Sequence, residues 1–373
     1  MILNGQCLRL ADNTIKCVDV DIEKVKEACN NPFMAEPLPN QLQNMENILL
    51  ICSPDISENV YDYIVDLCSG KNISIISQNI PSKFKEYEVV FNNTCVDDYE
   101  FFGACAGRAA MLLHNSLKNY DIVITVSSVM MNTFGGFLGS IATLFTNTTA
   151  NKTISQMIKY ALQDSLYSIQ KLHSGVTIRN PIYESMREGI ITAGKSIHSF
   201  AINIVSDYAF EEQISKDVYA GDLFISQIEA QNNISKFYKT LVPAVSYDGI
   251  TVKMQCYNNV IYFISLVETA CRYLLKGGRL LIEIDDMKSF GNKAFQDVFY
   301  NNNTLEEMIE YINDDNYMEV FYAFILKYYT SHYHIALPEN DKLNGVLKQA
   351  GLNPMRKIEL NSFLGNCNNT TTI

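Results

Sequence analysis

The chain has 373 residues, and its 47% hydrophobic content is enough for two cores of ordinary size. Its 29 Lys and Arg residues are outnumbered by 41 Asp and Glu residues, so the net charge of -12 repels a phosphate backbone and nucleic acid is not expected as a partner. No apolar run approaches the roughly 20 residues that cross a bilayer, and the N-terminal segment lacks a basic stretch followed by an apolar one. We therefore expect a cytoplasmic protein that does not contact a membrane.

The ten cysteines form no C-x-x-C pair. Several lie inside apolar patterns, as Cys52 and Cys271 do. This usage predicts reduced thiols that are buried and act as small hydrophobic side chains.

Apolar runs rich in branched residues alternate with segments of helical periodicity, which is typical of an α/β fold with parallel strands between covering helices. The first clear unit is a strand over 48–52, an amphipathic helix over 56–68 that stops at Gly70, and a strand that starts at Ile73. Further strands are predicted from Tyr87, Tyr120 and Phe200, and further helices over 107–117, 154–173 and 181–193.

The α/β pattern restarts after about Leu241. It predicts a helix over 260–275, a break at residues 276–278, a strand from Arg279, and a helix that begins with a capping box between Thr304 and Glu307. A strand over 332–338, a helix over 342–350 and a frayed polar tail follow. We therefore predict an N-terminal domain over 1–241 and a C-terminal domain over 242–373, with a shared cleft as the expected ligand site.

A glycine-rich segment follows the strand that begins at Tyr120. Residues 132–142 read NTFGGFLGSIA and resemble the motif H-x-[YF]-x-G-F-S-G-G-x-K of the nickel-pincer lactate racemase family. Residues 175–181, 200–205, 220–222 and 277–283 resemble further motifs of that family, in the same order. The resemblance implies a fold of two α/β lobes. It also implies racemisation of 2-hydroxy acids with a nickel-pincer nucleotide that is tethered to a lysine and ligated by a histidine.

The chain departs from the family at the residues that carry this chemistry. The resemblance places the tether lysine on Ala142, a catalytic histidine on Asn132 and the nickel-ligand histidine on Ile158. It also places the substrate-binding arginine motif on the segment that begins at Asp55, and a lysine-containing motif on the segment around Tyr262. A methyl, an amide and an alkyl group supply neither a tethering amine nor an imidazole. We therefore expect no bound cofactor and no lactate racemisation.

The glycine-rich loop itself has two interpretations. Gly136, Gly139 and Ser140 follow a strand, and their backbone amides could approach a nucleotide or a phosphate. Alternatively, the glycines keep an inherited tight turn, since no lysine or arginine lies between residues 132 and 151. The sequence leaves both interpretations open.

Two other groups of residues could bind a metal. His332 and His334 stand two apart in an apparent strand, which would point both imidazoles to one side. Without a third ligand at metal-site spacing, surface or interface histidines are favoured. Asp285 and Asp286 follow the strand from Arg279, where solvated turn carboxylates are favoured over a metal site or acid-base pair.

Three functions remain open. The first is a non-catalytic protein of the lactate racemase type that binds a small molecule or a protein partner in the cleft between the lobes. The second is an isomerase or lyase of a small organic acid that uses different residues or a different cofactor. The third is a site completed by another subunit, and an oligomer is compatible with the sequence. A site lined by Asn, Ser and Thr favours binding, whereas a buried cluster of His, Lys or carboxylates favours chemistry.

Overall fold

The computed structural model describes residues 17–91, 93–105, 108–166, 169–194, 197–206, 215–241, 246–254, 260–284, 287–365, 367 and 369–372. It confirms the α/β fold and divides into two compact units. The first unit takes the described residues of Ile15–Met157 and Gly175–Val242. The second takes those of Ile158–Ser174 and Pro243–Ile373, so it includes a segment that lies within the predicted N-terminal domain. The predicted cleft between two lobes stays a prediction.

The chain up to residue 241 contains short helices and strands in alternation. In chain order they are α1 (Ile22–Asn30), α2 (Leu38–Leu42), β1 (Asn47–Cys52), α3 (Glu58–Leu67), β2 (Asn72–Ile76), β3 (Tyr99–Cys105), β4 (Ala109–His114), β5 (Ile122–Val129), β6 (Met131–Asn132), β7 (Gly136–Phe137), α4 (Ser140–Thr148), α5 (Asn151–Ser165), α6 (Pro181–Ala193), β8 (Ser199–Val205), β9 (Val218–Gly221) and α7 (Leu223–Leu241).

The first unit is built on a sheet whose described strands have the order β2-β1-β5-β8-β9. Neighbouring strands are parallel except β8 and β9, which are antiparallel. The central strand β5 reads IVITVSSV and is buried along its whole length, as expected when helices cover both faces of a parallel sheet. The predicted unit of strand, helix and strand at the start of the sheet is confirmed, because β1 and β2 pair in parallel with α3 between them.

Two predictions in this region are wrong. The helix expected over 107–117 is strand β4, which pairs antiparallel with β3 and buries every second side chain, whereas residue 107 lies outside the described residues. Ala, Met and Leu in β4 suggested a helix, but the pairing with β3 decides the backbone conformation. The strand expected from Tyr87 is a 3₁₀ turn over Ser82–Tyr87, followed by one bridge between Ile75 and Glu88.

Polar side chains cap the starts of helices α6 and α7 in the first unit. Asn180 accepts from the amides of Ile182 and Tyr183 at the start of α6. Asp222 accepts from the amides of Phe224 and Ile225 at the start of α7. These caps satisfy amides that have no partner inside their own helix. Both capping residues lie in motifs that carry the resemblance to lactate racemases.

The second unit contains the remaining elements and the described part of α5 from Ile158 onward. They are β10 (Tyr247–Met254), α8 (Val260–Cys271), β11 (Leu274–Ile284), α9 (Lys293–Asn301), α10 (Leu305–Glu310), α11 (Tyr317–His332), β12 (His334–Pro338), α12 (Asn344–Gln349), β13 (Asn353–Met355), α13 (Lys357–Phe363) and β14 (Thr370–Thr372). The described strands form a parallel sheet of order β13-β12-β11-β10-β14.

The second unit confirms some sequence predictions and corrects others. The capping box between Thr304 and Glu307 is present at the start of α10. The break expected at residues 276–278 lies inside β11, where Gly277 has a positive φ of 77° next to a register shift. The tail is not frayed throughout, because Thr370–Thr372 pair in parallel with β10. The long helix α11 was not predicted.

The described thiols are unpaired, and five of them, Cys29, Cys52, Cys68, Cys105 and Cys271, are buried, as the sequence predicted. Burial raises the pKa of Cys52 to about 12, so this thiol stays protonated at neutral pH. Cys17 is exposed and departs from the expectation. Within the part of the chain that the structure describes, no helix is both long and apolar enough to cross a membrane.

Candidate functional site

The carboxyl ends of β1 and β5 meet at one edge of the first sheet, and Asp55 lies there fully buried. The hydroxyl of Ser53 donates to Asp55 Oδ1 at 2.7 Å, and the hydroxyl of Ser128 donates to Oδ2 at 2.5 Å. The amide of Val18 donates to the carbonyl oxygen of Asp55 at 2.6 Å. Asp55 therefore belongs to a hydrogen-bonded network inside the unit, which holds this edge of the sheet together.

The glycine-rich loop forms a small hairpin of β6 and β7 after β5. Asn132 is 2% exposed, and its Oδ1 accepts from the amide of Phe134 at 2.7 Å, which closes the turn. Gly136 has a φ of 83°, and its carbonyl oxygen accepts from the amide of Gly175 at 2.6 Å. A Cβ at Gly136 would lie 2.1 Å from the carbonyl oxygen of Val176. The loop needs glycine here because another segment of backbone packs directly against it.

Helix α4 begins directly after Gly139, and neutral side chains cap its first amides. The amide of Ser140 donates to Asn203 Oδ1 at 3.2 Å, and that of Ile141 donates to Gln227 Oε1 at 2.7 Å. A Cβ at Gly139 would lie 2.9 Å from Gln227 Cδ, so the close approach of α7 again requires glycine. Two amides that an anion would use at this helix start are therefore already occupied.

A layer of uncharged polar groups surrounds this cap. Asn203 Nδ2 donates to Ser226 Oγ at 3.0 Å, and Ser127 is the direct neighbour of Asn203 on β5. Ser127 Oγ, Ser140 Oγ and Gln227 Nε2 are buried and find no hydrogen-bond partner among the described residues. Buried polar atoms of this kind bind water or an uncharged polar group, because each costs free energy while it stays unpaired.

The Asp55 network and the cap of α4 lie on opposite faces of the sheet. Ser128 belongs to the Asp55 network, whereas Ser127 lies beside Asn203 in the cap of α4. Because adjacent residues of a strand point to opposite faces, the two groups are on opposite sides of the sheet. Of the candidate residues from the sequence, Asn132, Gly136, Gly139, Ser140 and Ala142 lie together in the loop and the first turn of α4, whereas Asp55 belongs to the other network. Ala142 is 1% exposed.

The two remaining candidates belong to the second unit. Ile158 lies on α5 and is fully buried, and Tyr262 lies on α8 and is half-buried. His332 ends α11 and His334 begins β12, so the two histidines do not share one strand as the sequence suggested. Asp285 and Asp286 lie outside the described residues. Where the structure describes the chain, no group of three His, Cys, Asp or Glu residues could hold a metal ion.

The second unit contains a buried cluster of titratable groups that the sequence analysis missed. Glu268 on α8 is fully buried, and its Oε1 lies 3.0 Å from Arg272 Nε and 3.0 Å from His173 Nδ1. These contacts are off the hydrogen-bonding direction and are therefore mainly electrostatic. Arg272 also donates to the carbonyl oxygen of Ser174 at 2.9 Å, and the Tyr329 hydroxyl lies 2.8 Å from His173 Nδ1.

The charges in this cluster control the protonation of Glu268. Burial raises the pKa of the carboxyl, but the charges of Arg272 and His173 lower it more, so the pKa lies below its ordinary range. The carboxylate is therefore ionised at neutral pH, and the cluster holds His173 and Ser174 against α8 and α11. A sequence signal was available, since Glu268 and Arg272 stand four apart at the end of an otherwise apolar helix.

Comparison with known proteins places this architecture in a defined structural class. The chain has the fold of lactate racemase, with α/β units built on parallel sheets. The lactate racemase apoprotein from Thermoanaerobacterium thermosaccharolyticum matches with a TM-score of 0.75 and 15% identity, over 98% of this chain and 93% of that one. A protein from Thermotoga maritima with a known crystal structure matches with a TM-score of 0.61 and 12% identity, over 96% of this chain and 97% of that one.

Sequence comparison adds nothing to this result, because no family model and no curated protein matches the chain. At identities of 15% and 12% the structural likeness shows the fold alone.

The substitution Gly136→Ala should destabilise the first unit by more than about 3 kcal/mol, because it adds a backbone clash at Val176 to the strain of a positive φ. Urea unfolding followed by circular dichroism measures the change. Gly70→Ala is the matched control, since Gly70 has a φ of 81° and no atom within 4 Å of the added Cβ. Strain alone should cost about 1 kcal/mol there. Equal costs at the two positions would contradict the close packing of the loop.

The substitution Glu268→Gln should destabilise the protein by about 3 kcal/mol at neutral pH, because Arg272 loses its buried counter-ion. Since the folded pKa of Glu268 is lowered, its contribution is complete above the ordinary value of 4.5 and is lost as the pH falls below that value. The difference between wild type and variant should therefore be present above pH 4.5 and shrink in more acidic solution.

The control for this experiment is Glu283→Gln, which removes an exposed carboxylate 3.9 Å from Lys253. Its stability should hardly change, because water screens exposed pairs. A Glu268→Gln variant as stable as Glu283→Gln would show that the buried cluster does not anchor the second unit.

Proposed function

We propose that this chain is a non-catalytic protein of the lactate racemase fold that binds a small polar molecule. The proposal rests on the side chains at three positions. The resemblance matches these positions to the tether lysine, a catalytic histidine and the nickel-ligand histidine of lactate racemases. Ala142, Asn132 and Ile158 are all buried, and none of them offers an amine or an imidazole.

A nickel-pincer group does not fit these side chains. The Ala142 methyl cannot form the covalent tether, and the Ile158 side chain has no atom that binds a metal. The Asn132 side chain is not a base at neutral pH, and its oxygen already accepts from the amide of Phe134. We therefore derive no reaction step through this cofactor.

The surroundings of the loop support binding instead of chemistry. The cap of α4 is made by Asn203 and Gln227, and the neighbouring polar atoms belong to serine hydroxyls and an amide. Such groups exchange hydrogen bonds with an uncharged partner but neither transfer protons at neutral pH nor bind transition metals. The occupied amides favour the interpretation of the glycines as a tight turn over that of a phosphate cradle.

Co-expression with the enzymes that make the nickel-pincer nucleotide should leave the chain without a covalent adduct or stoichiometric nickel. The reason is that position 142 lacks the amine that a thioamide tether needs. Intact-protein mass spectrometry measures the adduct, elemental analysis measures nickel, and chiral chromatography measures lactate racemisation.

Two controls accompany this measurement. The lactate racemase from Thermoanaerobacterium thermosaccharolyticum, expressed with the same enzymes, should acquire the adduct, and its variant with the tether lysine changed to alanine should not. An adduct or racemase activity in the wild-type chain would overturn the proposal, because another residue would then supply the tether.

A second candidate function rests on the cluster around Glu268. The Nδ1 of His173 lies beside Glu268 and Tyr329, and the side chain is 14% exposed. In the tautomer that carries its proton on Nδ1, Nε2 would be the proton acceptor. A histidine held by a carboxylate is a common general base. This arrangement favours an isomerase or lyase that removes the α-proton of a small organic acid. Glu268 itself is fully enclosed and would act only by positioning His173.

If the second function holds, the wild-type chain should exchange the α-proton of lactate or malate for deuterium in D₂O, and His173→Gln should not. Loss of the α-proton signal in the proton NMR spectrum measures the exchange. Tyr329→Phe, which removes one hydroxyl beside His173, should retain exchange at a reduced rate. A circular dichroism spectrum of His173→Gln that matches the wild type would show that its loss of exchange is not due to unfolding. Wild-type protein that exchanges neither acid would contradict this function for both substrates.

A further inference from the structure

A groove of about 820 Å³ runs along the start of β12 and β13 in the second unit. We call it the β12 groove. Its lining includes Arg279, His334, Lys348, Asn353, Met355 and Phe363. A volume of this size suits a small organic molecule.

Three nitrogen-bearing side chains converge on the β12 groove. Arg279 on β11 and His334 on β12 are direct partners on adjacent parallel strands, so their side chains leave the same face about 5 Å apart. Lys348 reaches the groove from α12. Among the described residues, none of the three forms an ion pair with a carboxylate. In a chain with a net charge of -12, the cations Arg279 and Lys348, neither of them in an ion pair among the described residues, indicate a site for an anion.

The structure holds the guanidinium of Arg279 in place. Its Nη1 donates to the carbonyl oxygen of Phe363 at 2.7 Å, and its Cζ lies 5.7 Å from the centre of the Phe363 ring. A guanidinium has five N–H donors in a rigid fork, so one fixed contact leaves others for a carboxylate or phosphate. The carboxylate of Glu359 is also in the lining, but its Oε2 accepts from the amide of Arg356 at 3.1 Å. It belongs to the start of α13.

Part of the lining is apolar. Leu352, Pro354, Met355 and Phe363 contribute to the β12 groove. Met355 and Phe363 pack on a buried cluster of Leu281, Ala336 and Leu360, which supports them from below. A ligand would therefore place an anionic group against Arg279 and Lys348 and an apolar body against these side chains.

We propose that the β12 groove binds a small organic anion, a carboxylate or phosphate attached to an apolar body. The site lies wholly in the second unit and uses none of the residues on which the proposed function rests. If co-expression did yield a nickel-pincer adduct, the proposed function would fail and the anion site would not be affected. If no anion bound to the β12 groove, the proposed function would not be affected.

Isothermal titration calorimetry with phenyl phosphate, benzoate and uncharged benzyl alcohol tests the proposal on the full chain. Phenyl phosphate or benzoate should bind, and benzyl alcohol should bind at least tenfold more weakly because it cannot pair with the cations. The preference between the two anions shows whether phosphate or carboxylate is the natural group. Arg279→Gln and Lys348→Gln should each weaken anion binding about tenfold.

Lys342→Gln is the matched control, because it removes the same charge from an exposed position just before α12 that does not line the groove. It should leave binding unchanged. Lys348 is an exposed helical residue, so its variant tests the site even if Arg279→Gln fails to fold. The proposal is overturned if neither anion binds at millimolar concentration, if benzyl alcohol binds equally well, or if Lys342→Gln weakens binding as much as Lys348→Gln does.

Discussion

The first unit depends on satisfying the amides at the starts of helices that pack against its sheet. Asn180, Asn203 and Asp222 each accept from one or two such amides. Ser140 and Asn203 at the cap of α4 are fully buried. The cap therefore fixes where α4 begins and brings α7 so close to the loop that Gly139 cannot carry a side chain.

This constraint explains why the motifs that resemble lactate racemases predicted the fold correctly and yet say little about activity. Asn180, Asn203 and Asp222 lie in three of those motifs, and Gly136 lies in a fourth. Their described roles are capping and close packing, which a protein needs whatever it binds. Side chains that would act on a cofactor are not needed for folding. Ala142 and Ile158 can therefore pack inside their units without disturbing the architecture.

Sequence patterns predicted elements well where one local signal dominates. Helix α6 was predicted with its bounds, because Asn180 and Pro181 mark its start and the apolar spacing is regular. Strand β4 was missed because its conformation depends on pairing with β3, which composition does not reveal. Helix α11 was missed for another reason. Its first ten residues are all buried, so this part has no polar face and no amphipathic period.

The candidate site could be predicted only as a set of residue types. The loop and its glycines were found from the sequence, but the partners of Ser140 and Ile141 come from residues more than 60 positions away. The His173 and Glu268 pair was missed for the same reason, since contacts over long separations depend on the tertiary fold. Arg279 and His334 in the β12 groove are likewise brought together by strand register.

The described part of the second unit comes from two stretches of chain, and residues of the first unit from Gly175 onward are inserted between them. During synthesis its early stretch, with His173 and Ser174, leaves the ribosome long before Glu268 and Arg272 exist to receive it. The unit cannot mature until most of the polypeptide has been made. For the same reason, a fragment that begins near residue 242 would contain the buried carboxylate of Glu268 without its neighbour His173. The C-terminal part of the chain is therefore not an independent unit.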